Sequence, residues 1–271
     1  MLIAHLSDPH VKLPGRLAYG RVDTAAMLEA CVADLLRLTP APDLVVITGD
    51  LTDQGQAGEY AHLRQILAPL PQPLVVIPGN HDNRVALGHA FQDLGYLPPA
   101  GFLHFALEDW PLRLIGLDTL VPGSGGGALC AERLAWLEEN LAREPAKPTL
   151  LLMHHPPFAT GIAHMDRIGL AAPEAFAALM ARHPQVEALL CGHVHRMIHA
   201  RVGGRPALVC PSPAHQVALD LTPNGPSGFR LEPPGYLLHR WHQGQLVSHQ
   251  AFVGDFPGPH PFFGNDGRLI D

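Results

Sequence analysis

Five short clusters in this sequence combine residue types that bind metals. They are Asp8-Pro9-His10, Gly49-Asp50, Gly79-Asn80-His81-Asp82, His154-His155 and Gly192-His193-Val194-His195. Imidazole and carboxylate together suit transition metals such as Fe, Mn, Co and Zn, whereas an all-oxygen set suits Mg or Ca. Histidine is frequent here: 18 residues, as many as Lys and Arg together. Each cluster alone has an ordinary reading. An Asp after a strand often caps a helix or sits in a turn, Gly-Asn-His-Asp can be a turn, and His-X-His can be half of a structural zinc site. Together they carry more weight, because each follows directly on an apolar run. Ligands of open α/β sheets gather at the carboxyl ends of strands, so five such breaks would converge although they span Asp8 to His195.

The apolar runs that must position them are residues 2–6, 44–48, 74–77, 112–117, 149–153 and 186–191. They are continuous in Val, Ile and Leu and bounded by polar turns, the pattern of buried strands. Amphipathic segments lie between them. In 24–38, Leu28, Cys31, Val32 and Leu35 repeat at helical spacing, and 59–67, 131–141 and 173–182 look similar. Alternation of strand and helix predicts a layered α/β domain. After residue 197 the character changes: strands at 197–202 and 206–209, then a Pro- and Gly-rich loop at 222–234. A hairpin follows, with 236–241 and 245–252 flanking His242-Gln243-Gly244. The tail from Gly254 shows no periodicity.

Composition excludes several classes. With 47% hydrophobic and 16% charged residues the 271-residue chain is core-rich rather than disordered. Net charge is −7, which argues against a nucleic-acid partner. No run reaches the ~18–20 apolar residues of a membrane helix, and no leader pattern opens the chain. A cytoplasmic protein without a membrane partner is expected. Cys31, Cys130, Cys191 and Cys210 form no CxxC pair and read as reduced, buried thiols.

The five clusters, in order, resemble the motifs of the calcineurin-like binuclear metallophosphoesterases over roughly residues 1–200. Tyr19-Gly20-Arg21-Val22-Asp23, Leu117-Asp118-Thr119 and Pro213-Ala214-His215-Gln216-Val217 are similar to its bacterial branch of class III cyclic-nucleotide phosphodiesterases and glycerophosphodiesterases. The end of the chain, through Val247-Ser248-His249-Gln250, looks more like the glycerophosphodiesterases. The resemblance implies a four-layer αββα sandwich of two mixed sheets. Residues 1–200 would form the catalytic core, and 201–271 would complete the second sheet and add the hairpin and tail.

The same resemblance implies two divalent or trivalent ions of Fe, Mn, Co or Zn. Asp8, His10, Asp50 and His195 would hold one, and Asp50, Asn80, His154 and His193 the other, with Asp50 bridging. It implies hydrolysis of small phosphodiesters, cyclic 3′,5′-nucleotides or glycerophosphodiesters, by a hydroxide activated between the ions. His81 would act on the leaving group or the phosphate, with Asn80 and His215 also lining the substrate pocket. Asp82 reads as a helix cap, His155 as a residue turned away from the metals, and 164–166 as a segment overhanging the pocket. The remaining histidines, His5 and His239 among them, read as surface or packing residues. Alternatives are a phosphomonoesterase or nuclease of the same superfamily, or a non-catalytic binding protein. The aromatic tail suggests a homo-oligomer.

Overall fold

The computed structural model describes residues 1–270. Its first half runs β1 (Leu2–Leu6), α1 (Thr24–Leu36), β2 (Leu44–Ile47), α2 (Ala57–Leu67), β3 (Leu74–Val76), α3 (Arg84–Ala90), β4 (Phe105–Leu107) and β5 (Arg113–Leu117). It continues with β6 (Gly127–Ala128), α4 (Ala131–Arg143), β7 (Thr149–Met153), α5 (Ala163–Asp166), β8 (Leu170–Ala171), α6 (Pro173–Arg182) and β9 (Val186–Cys191). The C-terminal part holds β10 (Ile198–Val202), β11 (Arg205–Val209), β12 (Gln216–Val217), β13 (Phe229–Arg230), β14 (Gly235–His242) and β15 (Gln245–Phe252).

Two sheets carry the fold, in the orders β15-β14-β1-β2-β3 and β10-β11-β9-β7-β5-β4. Strand alternation divides each sheet's side chains between an outer core under helices and a shared core between the sheets. From β1 and β2, Ala4, Leu6, Val45 and Ile47 pack outward on Leu28 and Leu35 of α1 and Tyr60 and Leu63 of α2. Ile3, Leu44 and Val46 point the other way and meet Leu114, Leu150, Leu152 and Leu190 of the second sheet. The outer face of that sheet is covered by Leu137 and Leu141 of α4 and Phe176, Leu179 and Met180 of α6. Helix, sheet, sheet, helix is the predicted four-layer sandwich. Among the described residues, no helix is long and apolar enough to cross a membrane.

The hairpin is where the structure adds to the sequence pattern. While β11 pairs with β9 in the second sheet, β14 runs antiparallel to β1 and extends the first. The segment after residue 200 thus supplies strands to both sheets. Its turn residues Gln243 and Gly244 both have positive φ, 51° and 73°, the geometry that matches the twist of a two-residue hairpin. Helix ends also differ from the apolar pattern, which cannot see caps: α1 stops at Leu36, α2 begins at Ala57 through a Gln56–Glu59 capping box, and α4 runs on to Arg143. Cys130 is exposed at the start of α4, whereas the other three thiols are buried.

Candidate metal centre

The loops after β1, β2, β3, β7 and β9 meet at one edge of the two sheets. Backbone hydrogen bonds stitch them: Asp8 N donates to Gly49 O (3.1 Å), His10 N to Asp50 O (3.0 Å) and Gly192 N to His154 O (3.0 Å). Both carboxylate oxygens of Asp8 accept from His193 N at 3.0 Å. Asp8, His10, Asp50, His193 and His195 all adopt left-handed φ values, from 46° to 73°. That region is uncommon for residues other than glycine, and such strain persists where the surroundings impose it, above all at functional sites. Gly192 permits the closeness: a Cβ there would lie 2.0 Å from Ser7 Oγ and 2.8 Å from Thr48 O.

Outer hydrogen bonds orient the rings. His154 Nδ1 donates to Thr48 O (2.8 Å) and His195 Nδ1 to His215 O (2.9 Å). A carbonyl only accepts, so each ring donates from Nδ1 and turns Nε2 inward, where a neutral ring presents a lone pair. His10 Nδ1 lies 3.6 Å from Asp53 Oδ1, while its Nε2 faces His195 Nε2 at 3.1 Å. Asp8 Oδ1 is 3.4 Å from that same His195 Nε2. On the other side, Asn80 Oδ1 sits 3.1 Å from His154 Nε2 and 3.0 Å from His193 Nδ1. Asp50 stands between the groups. Its Oδ1 accepts from His81 N (2.8 Å), leaving Oδ2 at 3.3 Å from His154 Nε2 and 3.6 Å from His10 Nε2. Two nests of lone pairs therefore share one oxygen. A proton can bridge each close pair, and so can a cation: Asp8, His10 and His195 form one group of potential ligand atoms and Asp8, Asp50 and His154 another.

Electrostatics agree with that reading. Burial, then the charge of His154, pushes His193 down to about 3. Burial, with His10 and His215, holds His195 well below the usual range. Both rings are neutral and able to ligate. Burial works against the charged form of His154, but the charge and hydrogen bond of Asp50 lift it to about 9, so its proton competes with a cation at the same place.

A cavity of about 460 Å³ opens over these atoms, lined among others by Tyr19, Asn80, His81, His164, His215 and Phe229. The structure thus brings together Asp8, His10, Asp50, Asn80, His81, His154, His193, His195 and His215. His81 Nδ1 donates to Asp53 O at 2.8 Å. His215 packs its ring 4.7 Å from that of His195, and its buried Nδ1 has no hydrogen-bond partner among the described residues. His164 and Met165, on α5, line the cavity. His155 is engaged elsewhere, with Thr119 Oγ1 at 2.7 Å and Gly125 O at 3.2 Å.

Contrary to the sequence expectation, Asp82 does not cap α3. The cap of α3 is Asn83, whose side chain accepts from Val85 N and Ala86 N. Asp82 is buried instead and accepts from Leu51 N (3.1 Å), Gly79 N (2.9 Å) and Tyr60 Oη (2.8 Å), tying the Asp50 loop to the Asn80 loop. Asp53 and Thr48 join the site from outside the predicted set. Asp53 is a further carboxylate three residues after Asp50, a visible signal, whereas Thr48 meets His154 through its carbonyl, which no side-chain pattern reveals.

The family model described as calcineurin-like phosphoesterase matches residues 1–197. The probable glycerophosphodiester phosphodiesterase GpdQ of Arcobacter nitrofigilis is 42% identical over 273 residues, covering 100% of both chains. The 3′,5′-cyclic adenosine monophosphate phosphodiesterase CpdA of Escherichia coli is 34% identical over 210 residues, 78% of this chain and 75% of its own. A dimetal phosphatase from Danio rerio shares the fold at a TM-score of 0.66 and 14% identity, covering 93% of this chain and 98% of its own. By motif, fold and full-length similarity, the chain belongs to the calcineurin-like phosphoesterase family.

Proposed function

We propose that this chain hydrolyses small-molecule phosphodiesters at two transition-metal ions. The observation that carries the reading is the single oxygen, Asp50 Oδ2, facing the ring nitrogens of both His10 and His154. Asp8, His10, Asp50 and His195 would hold one ion, and Asp50, Asn80, His154 and His193 the other, drawn from Fe, Mn, Co or Zn. When bound, the pair supplies Lewis acidity and a nucleophile at neutral pH. The protein residues do the rest. Asn80 contributes a neutral oxygen, which keeps the centre from repelling an anionic phosphate. His81 and His215 line the cavity on the substrate side, where they orient the phosphate, and His81 can pass a proton to the departing oxygen.

Glycerophosphodiesters are the preferred substrate class. The Arcobacter GpdQ is 42% identical over the whole chain, whereas the CpdA of Pseudomonas aeruginosa, which covers 94% of it, is 32% identical. The test is a panel of glycerophosphocholine, cyclic AMP, bis-p-nitrophenyl phosphate and p-nitrophenyl phosphate, with added Mn, Co or Zn. Turnover of the diesters that stops on chelation is expected, glycerophosphocholine being favoured over cyclic AMP. Hydrolysis of the monoester alone overturns the diesterase reading, and metal uptake without any turnover points to a binding protein.

Self-association is part of the same proposal. Phe256, Phe262, Phe263, Leu269 and Ile270 are all more than half exposed. At ~25 cal/mol per Å² of apolar surface, burying several of them supplies several kcal/mol. Light scattering is expected to find an oligomer for the full chain and a smaller species for one ending at Gly254; a monomer in both removes this reading. Four free thiols suit a reducing compartment, the cytoplasm.

A further inference from the structure

Five hydrogen bonds run in series across the interior between the two sheets and finish beside His154. Ser248 Oγ on β15 meets His239 Nδ1 on β14 at 2.7 Å, and His239 Nε2 meets His5 Nδ1 on β1 at 3.1 Å. His5 Nε2 then meets Thr48 Oγ1 at 2.9 Å, Thr48 Oγ1 meets Ser7 Oγ at 2.8 Å, and Ser7 Oγ reaches Thr48 O at 3.3 Å. The inner end sets the direction. Thr48 O can only accept, so Ser7 donates to it and must accept from the Thr48 hydroxyl. That hydroxyl has then spent its proton and accepts from His5 Nε2–H. The lone pair of His5 Nδ1 accepts from His239 Nε2–H, and His239 Nδ1 accepts from Ser248.

Every link has one permitted polarity. Burial holds both rings below the usual range, His239 at about 3, so each is neutral with one donor and one acceptor, as the series needs. Both rings are fully buried. Apolar side chains would fill this inter-sheet space without any need for hydrogen-bond partners.

We propose that His5 and His239 are positioning residues for the candidate metal centre. Their one-way series pins Thr48 in the orientation in which its carbonyl receives His154 Nδ1–H (2.8 Å) and keeps His154 Nε2 turned to the ion. This rests on the reading of His154 as a ligand. Losing a direct outer partner of a ligand costs ~10–100-fold in metal affinity; one step further out, roughly three- to tenfold is expected.

The test uses the Zn-loaded full chain with ¹⁵N-labelled histidine, in which long-range ¹H–¹⁵N correlation reads the protonated nitrogen of each ring. His5 and His239 are expected as Nε2–H and His154 as Nδ1–H. Thr48→Val, nearly isosteric, removes the acceptor for His5 and should flip His5 and His239 to Nδ1–H. In Zn titrations His239→Leu should weaken the ion at His154 by the margin above, and His239→Gln, whose amide replaces the lost donor, should restore it.

A His5 ring protonated on Nδ1 in the unaltered protein overturns the proposal. So does wild-type Zn affinity in His239→Leu; should that variant not fold, the Thr48→Val tautomers decide. His154→Ala separates the underlying reading. If it still binds both ions with wild-type affinity, the ligand assignment falls and this proposal with it, whereas unchanged affinity confined to His239→Leu removes the proposal alone.

Discussion

Replacing Asp50 with alanine is expected to abolish diester turnover and loosen both ions, the largest effect of any single substitution here. Asp50 does two jobs with two oxygens. Oδ1 accepts from His81 N and so holds the loop after β3, while Oδ2 faces His154 Nε2 and His10 Nε2 across the centre. Alanine removes both contacts and leaves the remaining donors of the two nests without a shared anion. Removing a single electrostatic stabiliser of a transition state commonly costs ~10²–10³-fold in rate; loss of a shared ligand should exceed about 10³-fold. Asp50→Asn separates charge from loop geometry, because its amide oxygen can still accept from His81 N. Metal analysis should find both variants depleted. Two tightly held ions per chain in Asp50→Ala would remove the bridging assignment.

His81→Ala should discriminate between substrates by leaving group. Because Nδ1 donates to the Asp53 carbonyl, the ring can serve the cavity only through Nε2, and it can give a proton there only when both nitrogens are protonated. A general acid helps in proportion to the charge building on the departing oxygen. Glycerol or ribose leaves as a poor alkoxide, so kcat on such a diester should fall by ~10²–10⁴-fold. p-Nitrophenolate needs little protonation, and the loss with bis-p-nitrophenyl phosphate should stay within roughly tenfold. Metal content should be unchanged. Equal losses on the two substrates would assign His81 to phosphate positioning, and a parallel loss of metal would make it part of the metal-holding set.

The residue types of the centre and the edge they occupy were legible in the sequence. Strand-ending polar breaks at Asp8, Asp50, Asn80, His154 and His193 are local features, written in apolar runs and the clusters that interrupt them. Alternating periods of strand and helix made a layered α/β domain legible as well, whereas the four-layer order was implied only by the family resemblance. Tertiary structure decided the rest. Asn83 rather than Asp82 caps α3 because Asp82 is drawn into a buried junction between two loops. The hairpin joins β1 because a free edge of the first sheet lies there, a through-space fact with no local signature. Above all, which oxygen of Asp50 faces inward, and which nitrogen of His154 or His195 is free, depend on hydrogen bonds to His81 N, Thr48 O and His215 O. Those partners are backbone atoms that every residue carries, so sequence marks where donors can collect, and only the packed chain selects the lone pairs that point at one another.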